Sequence, residues 1–197
     1  MKPADLSSLS GVVLCGGESR RMGRDKGLLP IGDTCWAIHM AGKLASWKIP
    51  VFYSINAGQQ ANYGILIPSG RLIVDALGIP GPLEGLFSVH RRLPGRDLLL
   101  LACDMPDLDE ATIRGIVDVY REGGPYDFYV YQEEGAGRPV AQPFCGIYTS
   151  AGLDAFWSLF AGGEGRGDHS LQSLLNKGRT RRLPIERGDV FRNYNSL

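Results

Sequence analysis

One stretch of the chain constrains the fold more than any other. Residues 97–103 read Asp-Leu-Leu-Leu-Leu-Ala-Cys, so that six apolar residues follow one another without a polar interruption. A strand with one solvated face alternates apolar and polar side chains, whereas a continuous apolar run is typical of a strand covered on both faces of a parallel sheet. Shorter apolar runs bounded by turn residues predict three more strands, at residues 11–15, 50–55 and 71–75.

Helical patterns lie between these strands. Residues 34–47 carry an apolar stripe, residues 82–92 begin with a proline in the first turn, and a third helix follows Asp107 and ends at Gly123-Gly124. The second half predicts strands at 126–132, 143–148 and 181–185 and helices at 151–160 and 170–177. Alternating strands and helices predict an α/β fold with a mostly parallel central sheet flanked by helices, of Rossmann-like type.

Length and composition limit the remaining possibilities. With 197 residues and about one domain per ~150 residues, we expect a single domain over residues 1–197, with residues 1–10 as a flexible N-terminal segment. Basic and acidic residues number 21 each, which gives no general attraction to nucleic acid or to an anionic membrane. There is no apolar run of about 20 residues and no signal peptide, so we expect a cytoplasmic protein without a membrane segment.

The cysteines do not predict a metal or redox site. Cys15, Cys35, Cys103 and Cys145 are widely spaced, with no C-x-x-C pair. We therefore expect buried, reduced thiols.

A glycine-rich basic loop follows the first predicted strand. Residues 16–27 contain four glycines and four cations, the latter being Arg20, Arg21, Arg24 and Lys26. Glycine allows the backbone to approach an anion, while arginine and lysine supply charged donors, so the loop predicts phosphate binding at the carboxyl end of a strand. The loop matches neither the Walker A motif nor the Rossmann G-x-G-x-x-G motif. A solvated basic turn that binds nothing is the alternative.

Two aspartates end predicted strands. Asp104 follows the fully apolar strand directly and precedes Met105-Pro106. Mg²⁺ in phosphate-transfer sites is commonly held by one or two carboxylates together with substrate phosphates, so Asp104 is a candidate ligand. Asp75 ends the third predicted strand and is a candidate second acidic contact. A cap of the turn before Pro106 is the alternative for Asp104, and a turn residue is the alternative for Asp75.

The loop also carries a resemblance to a known family. Residues 14–26 resemble the pattern L-x-G-G-x-S-x-R-M-G-x-D-K of nucleotidyltransferases with a GT-A-like Rossmannoid fold, and among these most closely the molybdenum cofactor guanylyltransferases. The resemblance implies that Asp104 binds Mg²⁺ and the nucleotide and that Asp75 binds the nucleotide. It further implies a set of nucleotide-binding residues in the loop: Leu14, Cys15, Gly16, Gly17, Ser19, Arg21 and Lys26.

Other positions match the family less densely. Pro82, Leu83 and Gly85 are similar to the P-L-x-G segment that contacts guanine in the family, which favours GTP over CTP. Ser54 and Asn56 lie where relatives contact the nucleotide, although Ser54 replaces the usual asparagine. Asn193 and Asn195 resemble the family's N-x-N on the pterin side of the site, with a polar tail as the alternative.

The implied reaction is transfer of GMP from GTP to the phosphate of molybdopterin, with release of pyrophosphate. Lys26, with Arg20 or Arg21, would stabilise phosphate charge, and Asp104 would hold Mg²⁺. The resemblance implies GTP and molybdopterin as substrates and transient contacts with molybdenum-inserting and molybdoenzyme-maturation proteins, and we expect a monomer. The alternatives are a cytidylyl- or sugar-phosphate nucleotidyltransferase of the same fold, and a non-catalytic GTP-binding accessory protein.

Overall fold

Seven strands form the central sheet of the computed structural model, which describes residues 5–16, 25–133, 140–161 and 170–194. The strands in chain order are β1 (Leu9–Leu14), β4 (Val51–Ile55), β5 (Leu72–Val74), β6 (Asp97–Ala102), β7 (Phe128–Glu133), β8 (Val140–Tyr148) and β9 (Thr180–Pro184). A separate two-stranded hairpin consists of β2 (Pro30–Ile31) and β3 (Thr34–Cys35). The helices are α1 (Trp36–Gly42), α2 (Gln60–Leu66), α3 (Pro82–Arg92), α4 (Glu110–Glu122), α5 (Ser150–Ala161) and α6 (Leu171–Lys177).

Strand β6 is covered on both faces, as its apolar run predicts. Leu99 and Leu101 pack in a core cluster with Ile113 of α4, on one side of the sheet. Leu98 and Leu100 belong to a second cluster, which includes residues of α3, α5 and α6. All four leucines are fully buried, because alternate side chains of a strand point to opposite faces.

The order of the strands brings the predicted site residues to one edge of the sheet. The sheet runs β5-β4-β1-β6-β8-β7-β9, with β5, β4, β1 and β6 parallel and β8 antiparallel to both of its neighbours. Leu14 is level with Ser54 on one side and with Ala102 on the other. The segments that follow β1, β4, β5 and β6 therefore leave the sheet at the same edge, which is where open α/β sheets bind ligands. The predicted fold class is confirmed.

Part of the N-terminal segment that the sequence analysis expects to be flexible has regular structure. A 3₁₀ turn covers Leu6–Ser8, and β1 begins at Leu9, two residues before the predicted strand. The guanidinium group of Arg96 donates to the carbonyl oxygens of Ser7 and Leu9, at 2.7 and 2.6 Å, and to the hydroxyl of Ser10. These three hydrogen bonds join the segment to the start of β6, and residues 1–4 lie outside the described part of the chain.

The predicted helix over 34–47 is also wrong in its bounds. Its first two residues form β3, which pairs with β2 through a turn where Gly32 has a φ of +53°. The helix α1 then ends at Gly42, and a 3₁₀ turn over Ala45–Trp47 follows. Helix α2 was not predicted, because its seven residues include three polar side chains, and its apolar Ile65 and Leu66 are exposed.

The remaining elements agree in type with the sequence-based predictions, with shifts of a few residues at their ends. Within the described residues, no helix combines the length and the apolar character that crossing a membrane would need.

Candidate active site

Two adjoining cavities open at the carboxyl edge of the parallel strands. The larger has a volume of about 800 Å³ and the smaller of about 280 Å³. Leu14, Gly16 and Pro82 line both cavities, so the end of β1 and the start of α3 separate them. The site is thus a two-part cleft, with one chamber beside β4 and β5 and the other beside β6.

An ion pair lies in the small chamber. Nζ of Lys26 donates to Oδ2 of Asp104 at 2.9 Å, and each side chain is 15% exposed. Asp104 is placed by β6, whereas Lys26 begins the 3₁₀ turn Lys26–Leu28 that follows the basic loop. The structure therefore brings together two predicted residues that are 78 positions apart in sequence. A cation beside an anion at the rim of a cavity can exchange its partner for a phosphate oxygen.

The large chamber contains a second carboxylate, that of Asp75, and no cation lies beside it among the residues that the structure describes. Oδ1 of Asp75 accepts a hydrogen bond from the hydroxyl of Ser54 at 2.7 Å, and Ser54 is fully buried at the end of β4. Burial raises the pKa of Asp75 to about 6, with a further rise from the Glu84 charge and a partial opposing effect of the Ser54 hydrogen bond. Ser54, which departs from the family pattern, thus lines the large chamber itself and also holds Asp75 by a hydrogen bond.

The start of α3 forms a wall of the large chamber. Gly81 has a φ of +77° and precedes Pro82, which occupies the first turn where its missing N–H costs nothing. A Cβ on Gly85 would collide with the Ser54 hydroxyl and lie 2.9 Å from a methyl of Leu14, so only glycine allows this close approach. The side chain of Leu83 is fully buried in the core and does not line either chamber, and the predicted contact of this residue with the base stays a prediction.

Glu84 was missed by the sequence analysis. Its Oε1 accepts hydrogen bonds from the backbone N–H groups of Leu77 and Gly78, at 3.2 and 2.9 Å, and the residue lines the large chamber. The loop between β5 and α3 is therefore fastened to the first turn of the helix. The glycines and the proline of this loop do not predict that Glu84, seven residues after Leu77, accepts hydrogen bonds from the loop backbone.

The backbone of the loop start is already hydrogen bonded. The N–H groups of Cys15 and Gly16 both donate to the carbonyl oxygen of Ser54, at 2.8 and 3.0 Å, because the β1–β4 pairing continues past the strand ends. These two amides are not available to phosphate oxygens, so Cys15 and Gly16 contribute by lining the cavity. Burial raises the pKa of the Cys15 thiol well above its usual value, which keeps it neutral.

Asn56 lines the large chamber and also caps a 3₁₀ turn. Its Oδ1 accepts from the backbone N–H of Gln59 at 3.1 Å, while Oε1 of Gln59 accepts from the N–H of Asn56 at 2.8 Å. This reciprocal capping box engages the side-chain oxygen, so Asn56 offers the chamber its amide nitrogen.

The C-terminal segment closes one side of the small chamber. Asn193 lines this chamber, and its place on the pterin side stays a prediction. The next residue, Tyr194, places it there: its N–H donates to the carbonyl oxygen of Asp104 at 3.0 Å, and its hydroxyl donates to Asp107 at 2.7 Å. Phe144 of β8 also lines this chamber, and it precedes Cys145, which has a φ of +57°. No sequence motif singles out Tyr194 or Phe144 from the residues around it.

Five predicted residues lie outside the described part of the chain, so the structure assigns them no position: Gly17, Ser19, Arg20, Arg21 and Asn195.

The donor set of the small chamber suits a hard cation that is shared with a substrate. Asp104 supplies carboxylate oxygens, which Mg²⁺ and Mn²⁺ prefer. Among the described residues, no group of three or more His, Cys, Asp and Glu side chains is arranged to hold a metal ion. A single carboxylate fits a cation whose other ligands are phosphate oxygens and water.

Comparison with known proteins gives a consistent family. A family model described as "MobA-like NTP transferase domain" matches residues 11–182. A probable molybdenum cofactor guanylyltransferase of Mycobacterium marinum is 31% identical over 199 residues, which cover 99% of this chain and 92% of the relative. A molybdenum cofactor biosynthesis bifunctional protein of Synechocystis is 29% identical over 155 residues, 78% of this chain. The chain spans 43% of the length of that bifunctional relative.

Solved structures share the fold. The molybdopterin-guanine dinucleotide biosynthesis protein A of Archaeoglobus fulgidus has a TM-score of 0.72 at 16% identity, covering 95% of this chain and 92% of that one. A manganese complex of Rv0371C from Mycobacterium tuberculosis has a TM-score of 0.59 at 21% identity, covering 90% and 88%. At these identities the likeness establishes the arrangement of the chain alone.

Proposed function

The chain belongs to the MobA-like NTP transferase family, and from that premise we propose that it transfers GMP from GTP to the terminal phosphate of molybdopterin, releasing pyrophosphate. The observation that carries the proposal is the Lys26–Asp104 pair at 2.9 Å, in the smaller of two joined chambers. A nucleotidyl transfer needs a place for a base, a place for an acceptor and a charged group between them.

The two chambers divide the substrates by chemistry. The large one, of about 800 Å³, suits a nucleoside, and the carboxylate of Asp75 can accept hydrogen bonds from the N–H donors of guanine. Pro82 and Gly85 line the same chamber, which supports contact between the start of α3 and the base. The small one, with Lys26, Asp104 and Asn193, suits phosphates and the acceptor.

The chemistry asks little of the protein beyond alignment and charge. An oxygen of the acceptor phosphate, already ionised at neutral pH, attacks the α-phosphorus of GTP, and the bond to the β-phosphate oxygen breaks to release pyrophosphate. No general base is needed, so catalysis depends on positioning and on neutralising negative charge. Lys26 lies where it can donate to these oxygens, with Arg20 or Arg21 as the second cation of the proposal.

Asp104 is the residue that would hold a divalent cation, Mg²⁺ in the proposed reaction. Such a cation would supply positive charge that stabilises the negative charge on the phosphates. Asp104 would then share its carboxylate between that cation and Lys26, which keeps both positive charges at the phosphates.

Thermal stabilisation by nucleotides tests the proposal directly. A ligand that binds only the native state adds RT ln(1 + [L]/Kd), about 2.7 kcal/mol at a hundredfold excess over Kd. We expect GTP with Mg²⁺ to raise the melting temperature more than CTP, UTP or ATP, and pyrophosphate to appear only when molybdopterin is added. A preference for CTP would point to a cytidylyltransferase, and GTP binding without pyrophosphate release in the presence of molybdopterin would point to an accessory protein.

A further inference from the structure

A buried polar cluster lies behind the small chamber, outside the residues that the proposed reaction uses. Gln59 is 8% exposed and Tyr63 is fully buried, although both carry polar groups. Nε2 of Gln59 donates to the carbonyl oxygen of Cys15 at 3.0 Å and to Oδ2 of Asp25 at 2.7 Å. The hydroxyl of Tyr63 donates to Oδ1 of Asp25 at 3.1 Å.

One amide group therefore joins the two ends of the basic loop. Cys15 is the last residue but one before the undescribed part of the loop, and Asp25 is the first residue after it. The two N–H bonds of an amide nitrogen diverge at a fixed angle in one plane, so two hydrogen bonds from Nε2 set the separation of their acceptors. Gln59 is itself held by its capping box with Asn56, at the end of β4.

Asp25 transmits this constraint to Lys26. The Asp25 carboxylate also accepts from the N–H of Gly27 at 3.0 Å, so it caps the turn in which Lys26 is the first residue. Both carboxylate oxygens are thus occupied by groups that do not belong to the substrate. Because an unpaired polar group in such a buried position is costly, the cluster favours one arrangement of the turn.

The close packing at Gly27 adds a second restraint. A Cβ at this position would collide with the Tyr63 hydroxyl, and Gly27 is itself buried. Burial also raises the pKa of Tyr63 far above its usual value, so the phenol stays protonated and remains a donor to Asp25 at all physiological pH values.

We propose that Gln59, Tyr63 and Asp25 are positioning residues that hold Lys26 against Asp104 and fix the distance between Cys15 and Asp25, on either side of the undescribed part of the basic loop. They contact neither chamber as lining residues, and they act through the turn that carries Lys26. The inference rests on the proposed function, since it assumes that Lys26 binds the triphosphate.

The test is a double-mutant cycle in which the affinities for GTP and for guanosine are measured. Tyr63→Phe removes one hydroxyl, and we expect it to weaken GTP binding roughly tenfold, the factor that about 1.4 kcal/mol produces, while guanosine binding stays unchanged. In a Lys26→Ala background, we expect the same substitution to change GTP affinity by less than about twofold, because coupled residues are not additive. Calorimetry with GTP and with guanosine supplies both numbers.

Tyr120→Phe is the matched control. Tyr120 is also a buried tyrosine whose hydroxyl donates to an aspartate, at 2.6 Å to Asp97, but Asp97 begins β6 and so lies at the opposite end of that strand from Asp104. We expect it to lower stability without changing the ratio of GTP to guanosine affinity. Gln59→Leu is the second variant, and it should reproduce the selective loss of GTP affinity if it folds.

Equal losses of GTP affinity in both backgrounds, or a parallel loss for guanosine, would overturn the inference and leave the cluster a purely structural one. A wild-type protein that binds no GTP would overturn the proposed function and the inference together. A wild-type protein that binds GTP but yields no product with molybdopterin would overturn only the proposed reaction, and the binding cycle would still decide the positioning role.

Discussion

Asp75 and Asp104 follow parallel strands of one sheet, yet the described charges near the two carboxylates are opposite in sign. A cation, Lys26, lies beside Asp104, whereas another carboxylate, Glu84, lies near Asp75. Asp104 has an ammonium group at 2.9 Å, which compensates its charge where both side chains are largely buried. Asp75 has a hydroxyl at 2.7 Å, and the nearby carboxylate of Glu84 adds to burial in raising its pKa to about 6. Within the described residues, an ion pair therefore lies in the small chamber, and a carboxylate bonded to a hydroxyl lies in the large chamber.

The difference comes from the segments that pack against each strand end. The loop after β1 returns to the sheet with Lys26 beside Asp104, whereas the first turn of α3 brings Glu84 toward Asp75. A carboxylate with a cation suits phosphates and a divalent ion, and one without a cation suits a base that donates N–H groups. Five substitutions test this division.

The largest expected effect is at the small chamber, which contains Lys26 and Asp104. We expect Lys26→Ala or Asp104→Asn to lower the rate of pyrophosphate release about 10²–10³-fold, as the loss of an electrostatic contact to a transition state typically does. Asp118→Asn is the control, because that carboxylate is 58% exposed and its ion pair with Arg121 is 3.9 Å long. Near-normal turnover in a folded Lys26→Ala or Asp104→Asn variant would mean that the small chamber has no part in the reaction.

Asp75→Asn should separate stability from binding. Between about pH 4 and pH 6 the native state holds a proton that the unfolded state has lost, so the free energy of unfolding falls as pH rises through this window. Since the asparagine cannot ionise, we expect this part of the pH slope to vanish. At pH 7.5 we expect a melting temperature roughly 2–4 °C above that of the wild type, allowing for screening at a partly exposed site.

GTP affinity of the same variant should fall about tenfold, because a carboxylate acceptor is lost. Melting curves from pH 4 to pH 8 and calorimetry supply the two readouts. A wild-type protein whose stability rises steadily from pH 4 to pH 6 by the same amount as the variant's would contradict the raised pKa.

Gly16→Ala alters Asp75 without removing a polar group. The added Cβ would collide with Oδ2 of Asp75, the free end of a side chain, which must then turn away. We expect a loss of GTP affinity of a few fold with little change in unfolding free energy. Gly64→Ala in α2 meets open space and should instead add about 0.5–1 kcal/mol of stability, as replacing a helical glycine usually does. Unchanged GTP affinity in Gly16→Ala would mean that the position of Asp75 does not matter.

The smallest effect is expected at the edge of the small chamber, next to Asn193. Tyr194→Phe deletes an exposed hydrogen bond to Asp107, so we expect the free energy of unfolding to fall by about 0.5–1 kcal/mol. We expect the KM for molybdopterin to rise by about two- to fivefold, with the KM for GTP unchanged, because Tyr194 places Asn193 and no part of the large chamber. A larger rise in the KM for GTP would assign the C-terminal segment to the nucleotide instead.

Much of the site was accessible to sequence reasoning because strand ends are easy to locate. The apolar run of β6 placed Asp104 at the edge of a parallel sheet, and the glycine-rich loop placed Lys26 near the same edge. Local pattern does not show where a side chain points: Leu83 belongs to the matching motif, and its side chain is buried in the core. The capping role of Asn56 and the link from Ser54 to Asp75 depend on which polar groups meet across elements.

The sequence by itself determined the α/β architecture, the buried sheet and the edge at which the polar residues gather, since apolar periodicity and turn residues are local properties of the chain. Only the tertiary structure decided that Lys26 pairs with Asp104, that Asp75 meets the hydroxyl of Ser54, and that Gln59 joins Cys15 to Asp25 across 44 and 34 positions. Those contacts depend on how distant loops fold back over one sheet edge, and burial there sets the strength of each charge and hydrogen bond.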